Sequence, residues 1–384
     1  MNSRLFIAVL ALASSHCSEG GSGGSDSGTD GGNGGAGGTE GGGSGGSGGS
    51  GGVGGAGGSA AGGTAGAGAS VGESWLDQPS EMPPTLEETG LYADLEDLNS
   101  FDSRAVPFRP EHALWTNGSI KQRFVVVPEG AQIDTSDRQA WQYPENTLFF
   151  KTFSYVDEDA ADGLRPVETR VLKKTATGWE YHAYLWADDR STAELLDGVY
   201  TTPVAVEYEG ESFEHVVPAR LDCRKCHESQ PVGAIGFDEL RLNTPFEAGG
   251  DTTQLEALAA AGLLSDLPED PDSIEHDDER TARVLGYLQG NCVHCHNGWS
   301  GPSSAFDMRH DVALENLINV DTNTELLTGV RVVPGSPEES ALYKALTRDP
   351  DLPNTTAMPP VGVDLVDRAA LDLFYEWIEN LEDE

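Results

Sequence analysis

The chain has 384 residues, with 64 Asp and Glu against 23 Lys and Arg, a formal net charge of −41. That balance argues against nucleic acid and anionic lipid as partners and keeps the chain soluble. The acidic residues are spread along the folded region, which favours a generally acidic exported surface over a dedicated docking face for a basic partner protein. From Ser74 onward about 310 residues are enough for two domains.

Met1-Asn2-Ser3-Arg4 followed by the apolar run Leu5 to Ala13 reads as a short secretory signal, with one positive charge and an h-region of suitable length. It is too short to span a bilayer, and no other apolar run is long enough, so no transmembrane helix is expected. Cys17 stands just after the h-region, where a bacterial lipoprotein signal places its acylated cysteine. Residues 1–17 are therefore assigned to the signal, with Cys17 as the lipid attachment site and export to the periplasm, outer membrane or cell surface. Cleavage after Ala13 is the alternative and would leave Cys17 as a free thiol. Residues 18–73 are rich in Gly, Ser and Ala and cannot offset the entropy of ordering. They are expected to form a coil with a reach of about 40 Å.

Residues 75–245 read as a β-rich domain. A short helix is expected over Gly90–Leu98, and strands follow. Arg123–Val127 ends at the turn Pro128-Glu129-Gly130; Thr147–Val156 is rich in Phe, Thr and Tyr; Val167–Lys173 and Trp179–Trp186 flank Thr175-Ala176-Thr177-Gly178 as a hairpin. Trp179, Tyr181, Ala183 and Leu185 share one face at period two. Val204–Tyr208 and Phe213–Val217 form a further pair. Many short strands separated by turns point to an antiparallel sandwich or barrel. No nucleophile–base pair stands out here, and His112, His182 and His215 read as ordinary β-domain histidines.

Directly after the last strand comes Cys223-Arg224-Lys225-Cys226-His227, and further on Cys292-Val293-His294-Cys295-His296. Four of the five cysteines fall in these two Cys-x-x-Cys-His motifs. Thiols three residues apart on a short helical segment can each add to one vinyl group of a haem, and the following imidazole comes beneath the iron. Two covalent haem c groups are therefore expected, held by Cys223, Cys226, Cys292 and Cys295 with His227 and His296 as iron ligands. A zinc site is the weaker reading, because more than sixty residues separate the pairs and zinc explains neither trailing His. A thioredoxin-like motif lacks its βαβ context, and a disulfide across so short a loop is strained.

Beyond the connecting segment 246–276, which includes a short helix over Gln254–Leu264, residues 277–384 read as a small cytochrome c domain. A helix over Asp277–Gly290, with Thr281, Val284, Leu285 and Leu288 on one face, runs into Cys292. Met358, 62 residues after His296, precedes Pro359-Pro360, and two prolines hold its thioether as a sixth ligand. Met308 lacks that context, and His294 between its cysteines is expected to be incidental. A last helix from about Asp367 carries Leu371, Phe374, Ile378 and Leu381. For the haem on His227 no downstream Met is present; the donors are His276, or Met82, His112, His182, His215, Met308 or His310, with the β-domain favoured.

The chain resembles a family of exported bacterial di-haem c-type cytochromes that join an N-terminal β-domain to a C-terminal cytochrome c domain. The resemblance covers about residues 85–381. It rests on Leu114-Trp115-Thr116-Asn117-Gly118 with Lys121 and Arg123, on Trp179–Trp186, on Cys223–His227 with Gly236-Phe237 and Leu242-Asn243, and on Asn291–His296, Val333-Pro334-Gly335 and Met358-Pro359-Pro360. Where this chain has Thr116-Asn117, the family more often has Ser-Asp. The resemblance implies haem ligation and electron transfer between exported redox partner proteins. The expected fold is thus α+β: an antiparallel β-sandwich-like domain followed by a mainly α cytochrome c domain. A di-haem peroxidase, an oxidase or a haem-based sensor with one open iron site is the alternative.

Overall fold

The computed structural model describes residues 74–231, 233–299, 306–323, 327–352 and 355–382. The expected signal, Cys17 and the linker 18–73 lie outside the described residues. Strands form where bulky and β-branched residues alternate: β1 (Val106–Pro107), β2 (Ile120–Val126), β3 (Ile133–Asp134), β4 (Leu148–Val156), β5 (Leu164–Thr175), β6 (Gly178–Trp186) and β7 (Ala193–Leu195). Six of these make one antiparallel sheet in the order β1-β2-β4-β5-β6-β7. The Ala176-Thr177 turn joins β5 to β6 and fixes their register through Thr175 opposite Gly178. β8 (Thr202–Tyr208) and β9 (Glu211–Val217) form a separate hairpin, packed against Phe153, Tyr155 and Val167.

The two sheet faces are covered differently. Phe124, Val126, Leu148, Phe150, Val171 and Tyr184 face a layer of loop from the chain's start, including Leu76, Leu86, Leu91 and Leu98. Val125, Phe149, Leu172 and Tyr181 face Phe237, Leu242 and Leu255 from short helices downstream. The second layer expected of a sandwich is therefore only in small part a sheet: among the described residues, loops and helices cover most of this one, and the β8–β9 hairpin packs on it near Phe153. The helix expected over Gly90–Leu98 is also absent. A single 3-10 turn at Glu87–Thr89 precedes it, and the side chains of Asp94 and Asp97 accept hydrogen bonds from the backbone of Glu96 and Asn99 at 2.9 and 3.0 Å. Such local bonds compete with helix formation.

Seven α-helices lie among the described residues. α1 (Arg220–His227) follows β9 directly; α2 (Glu239–Leu242) and α3 (Gln254–Ala260) cover the sheet. α3 starts in a capping box between Thr253 and Glu256, and the strand after it, β10 (Leu264–Ser265), pairs in parallel with β3. α4 (Glu279–Asn291) is capped by Asp278 and runs into Cys292. α5 (Ala313–Leu317) and α6 (Ala341–Thr347) follow, and α7 (Arg368–Glu379) is capped by Asp367. α4 packs across α7: Val284, Leu285 and Leu288 meet Phe374, Trp377 and Ile378 in one core, and Trp377 Nε1 donates to Thr281 Oγ1 at 3.1 Å. No described helix is long and apolar enough to cross a membrane.

The β-rich and helical parts belong to one unit of contacts. Trp115 N donates to Asn291 Oδ1 at 2.7 Å. Asn117 Oδ1 accepts from the backbone of Asp364 and Leu365 at 2.7 and 3.0 Å. Gly290 permits the approach, since a Cβ there would stand 2.8 Å from the His112 carbonyl oxygen.

Candidate functional site

Helix α1 carries Cys223, Cys226 and His227 at positions i, i+3 and i+4, which share one face. Their side chains line a partly open cavity roofed by the sheet face at Phe149, Lys151 and Leu172 and walled by Pro359 and Val363 from the C-terminal part. His227 is positioned by its Nδ1, 2.6 Å from the Gly233 carbonyl. As donor of that bond, the neutral ring keeps Nε2 as a lone-pair donor, the arrangement that orients a metal-ligating imidazole. Burial draws His227 down to about 4, so it is neutral at ordinary pH. Gly233 has to be glycine for this turn to close: a Cβ would lie 2.5 Å from the Trp179 ring.

The second motif begins at the end of α4, and its thiols and imidazoles sit on the turn Cys292–His296, closed by His296 N donating to Cys292 O at 2.8 Å. The structure brings the two motifs together. Ligand atoms of Cys226, His294 and Cys295 all lie within 4.8 Å of one another, and Asn297 Nδ2 donates to Ser229 O at 3.1 Å, tying the end of one motif to the end of the other. The cysteines described are free thiols. The hydrogen bond between the Cys226 and Cys295 thiols draws Cys226 down to about 4, with His294 adding to the effect, and pushes Cys295 up. Burial alone raises Cys292 to about 12.

His294 is the unexpected member. Its side chain is 5% exposed and lines the cavity beside His227, although its place between two cysteines made it look incidental. Of the donors considered for the first motif, His276 is exposed and His310 bonds Asp272 at 3.1 Å. His182 lies near Glu180. His215 is locked between Tyr155 Oη at 2.9 Å and Glu168 at 2.8 Å. Met82 belongs to the core on the opposite sheet face, and His112 packs on Gly286. The lean towards a β-domain donor thus finds no imidazole or thioether from that domain among the described cavity-lining residues.

Around the second motif, the His296 ring lies 4.7 Å from that of Phe306, and the Arg331 guanidinium stacks on Phe306 at 4.0 Å. Met308 is buried in the helical core and its backbone N–H reaches His296 O at 2.9 Å. Met358 is half-buried, its N–H bonded to the Ala345 carbonyl at 3.0 Å, and the next residue, Pro359, belongs to the wall of the His227 cavity.

The sheet adds cations that carried no assigned role in the sequence, although Arg123 belongs to the run on which the resemblance rests. Arg123, Lys151 and Arg170 stand opposite one another on β2, β4 and β5 and all three line the cavity. Arg170 is bound through both its Nε and Nη2 by Glu168, at 2.9 and 2.5 Å. Although burial favours the neutral acid, Arg170 and His215 hold Glu168 down to about 2. Comparison with known proteins finds no matching family, no curated relative and no solved structure of similar fold.

Proposed function

We propose that this chain is an exported di-haem c-type cytochrome, of the kind its motifs resemble, which passes electrons between redox partner proteins. The observation that carries the reading is the pairing of a Cys-x-x-Cys-His turn with a largely apolar, partly open cavity lined by both thiols and the trailing imidazole. The donor set fits the group: two thiols for covalent attachment and a neutral imidazole with its Nδ1 already engaged. When bound, each haem supplies a one-electron iron couple. The protein's share is orientation and electrostatics. Helix α1 and Gly233 hold His227, Phe149 and Leu172 form an apolar wall, and His294 stands in the same cavity as a candidate donor from the second motif. On the second motif, Cys292 and Cys295 would carry the haem and His296 its iron, with Met358 as the proposed opposite ligand. Cys226 and Cys295 lie side by side, so the two haems would be attached close to each other, which suits direct transfer between them. An N-terminal lipid on Cys17 would be the membrane tether.

A second reading has a specific observation behind it. The separation of the motifs in sequence counts against a shared metal ion, but Cys226, His294 and Cys295 converge in space and could bind zinc. That site would leave Cys223, Cys292, His227 and His296 without a role. Mass spectrometry of the denatured protein, together with metal analysis, decides between the two. Two covalent haems per chain support the cytochrome; a haem-free chain with one zinc overturns it.

A further inference from the structure

The face of the sheet over the cavity changes character along its length. At one end it is apolar, with Val125, Phe149 and Leu172 side by side. Two residues further along each strand it carries Arg123, Lys151 and Arg170 in one cross-strand row. The next row holds Lys121, Phe153 and Glu168. Like charges directly opposite one another destabilise a sheet, and three in a row on an enclosed face need opposite charge close by.

The sheet supplies only part of it. Glu168 is taken up by Arg170 and His215, and Asp367 is the acid that acts on Lys121. Arg123 has a 3.4 Å bond to the Lys121 carbonyl and no acidic partner among the described residues. The Lys151 ammonium lies 4.8 Å over the Phe153 ring, and no hydrogen bond or ion pair joins it among the described residues. Across the cavity, Asp222 is engaged by Lys225 at 2.7 Å; Asp364 is not among the lining residues, and its charge acts on Arg348. Of the remaining titratable groups there, His227 and His294 bring no negative charge, and the charge that Cys226 carries as a free thiol is lost once Cys223 and Cys226 are thioethers. Four cations against two acids leave two positive charges unmatched, on Arg123 and Lys151.

We propose that the row Arg123–Lys151–Arg170 is an anion seat that receives the two carboxylate arms of the haem carried by Cys223, Cys226 and His227. The proposal rests on the di-haem reading and adds how the sheet recognises the group. An amphipathic ligand with a flat apolar body and two carboxylates matches a face that is apolar at one end and doubly cationic beyond. The same row without a ligand is costly: burial draws Lys121 down to about 7 and Arg123 to about 10, and takes Lys151 well below its ordinary range.

The test uses the purified full-length holoprotein, first shown by mass to carry its haems, and the variants Lys151→Met and Lys151→Arg. If Lys151 neutralises a carboxylate, Lys151→Met strands that carboxylate, so the melting temperature falls; the reduction potential of one haem also falls while the other stays in place. Lys151→Arg restores both. If the amine has no anionic partner, removing it relieves a buried charge and the melting temperature rises. A rise in melting temperature, or two potentials that both stay in place, overturns the proposal. Lys151→Gln carries the same signs should Met disturb the packing. A haem-free chain would instead defeat the cytochrome reading, and the seat with it.

Discussion

Replacing Glu168 by Gln removes the one acid on the sheet that Arg170 and His215 share. Glu168 is fully buried, with Arg170 Nη2 at 2.5 Å and His215 Nε2 at 2.8 Å. Removing one partner from a buried ion pair costs about 3–5 kcal/mol, because the other charge is left uncompensated. The pH dependence gives an independent figure. The carboxyl is lowered from its ordinary 4.5 to about 2, which amounts to about 3 kcal/mol of folding stability. A depressed acid contributes fully above its unfolded pKa and loses that contribution as pH falls through the folded value. The benefit is therefore complete above about pH 5, and about 2 kcal/mol of it is gone by about pH 3. Urea unfolding of wild type and Glu168→Gln, compared at neutral pH and near pH 3 with the haem content held equal, reads this directly. The gap between the two proteins should be widest at neutral pH and shrink by about 2 kcal/mol on acidification. A gap that stays constant across this range would mean that Glu168 is not an ionised partner of Arg170, and the charge balance drawn for the sheet face would fail with it.

His294→Ala should turn one low-spin ferric haem high-spin in electron paramagnetic resonance, because His294 shares the cavity with His227; an unchanged low-spin spectrum would exclude it as a ligand. Met358→Ala should abolish the weak far-red band of sulfur–ferric ligation and lower one potential, since His/Met ligation raises it. If both signals persist, Met308 is the next thioether to replace.

What could be read from the residues was whatever repeats locally. Trp179, Tyr181 and Ala183 alternate and form β6; Thr281, Val284, Leu285 and Leu288 recur at helical spacing and form the buried side of α4. The same rule misled at Gly90–Leu98, where Leu91, Leu95 and Leu98 mimic a helix face while the intervening aspartates cap turns instead. The motifs were visible in the sequence but their meeting was not, because the approach of Cys226 to Cys295 depends on how α4 docks on residues 112–117. His294 was illegible for the same reason: its cavity is built mostly from other parts of the chain. The row of cations was illegible for a different one. Arg123 stood in the run the resemblance rests on without a chemistry of its own, Lys151 and Arg170 look like ordinary polar positions in a strand, and only the pairing of three strands sets them side by side.

The clamp formed by Trp115 and Asn117 separates two kinds of distance. Asn291, just ahead of Cys292, is held by the Trp115 backbone, and residues 364 and 365, shortly after Met358, are held by Asn117. These bonds fix where the second motif docks, and the Asn297–Ser229 bond ties it to the first, so the interval between the motifs does not follow from the length of chain between them. The exposed turn at Gly249–Gly250–Asp251 can lengthen or shorten, at the small entropic cost of a surface loop, and leave the sulfur atoms where they are. Changes at Asn291 or Asn117, whose side chains make these bonds, have no such freedom, since the docking of the second motif is referred to them.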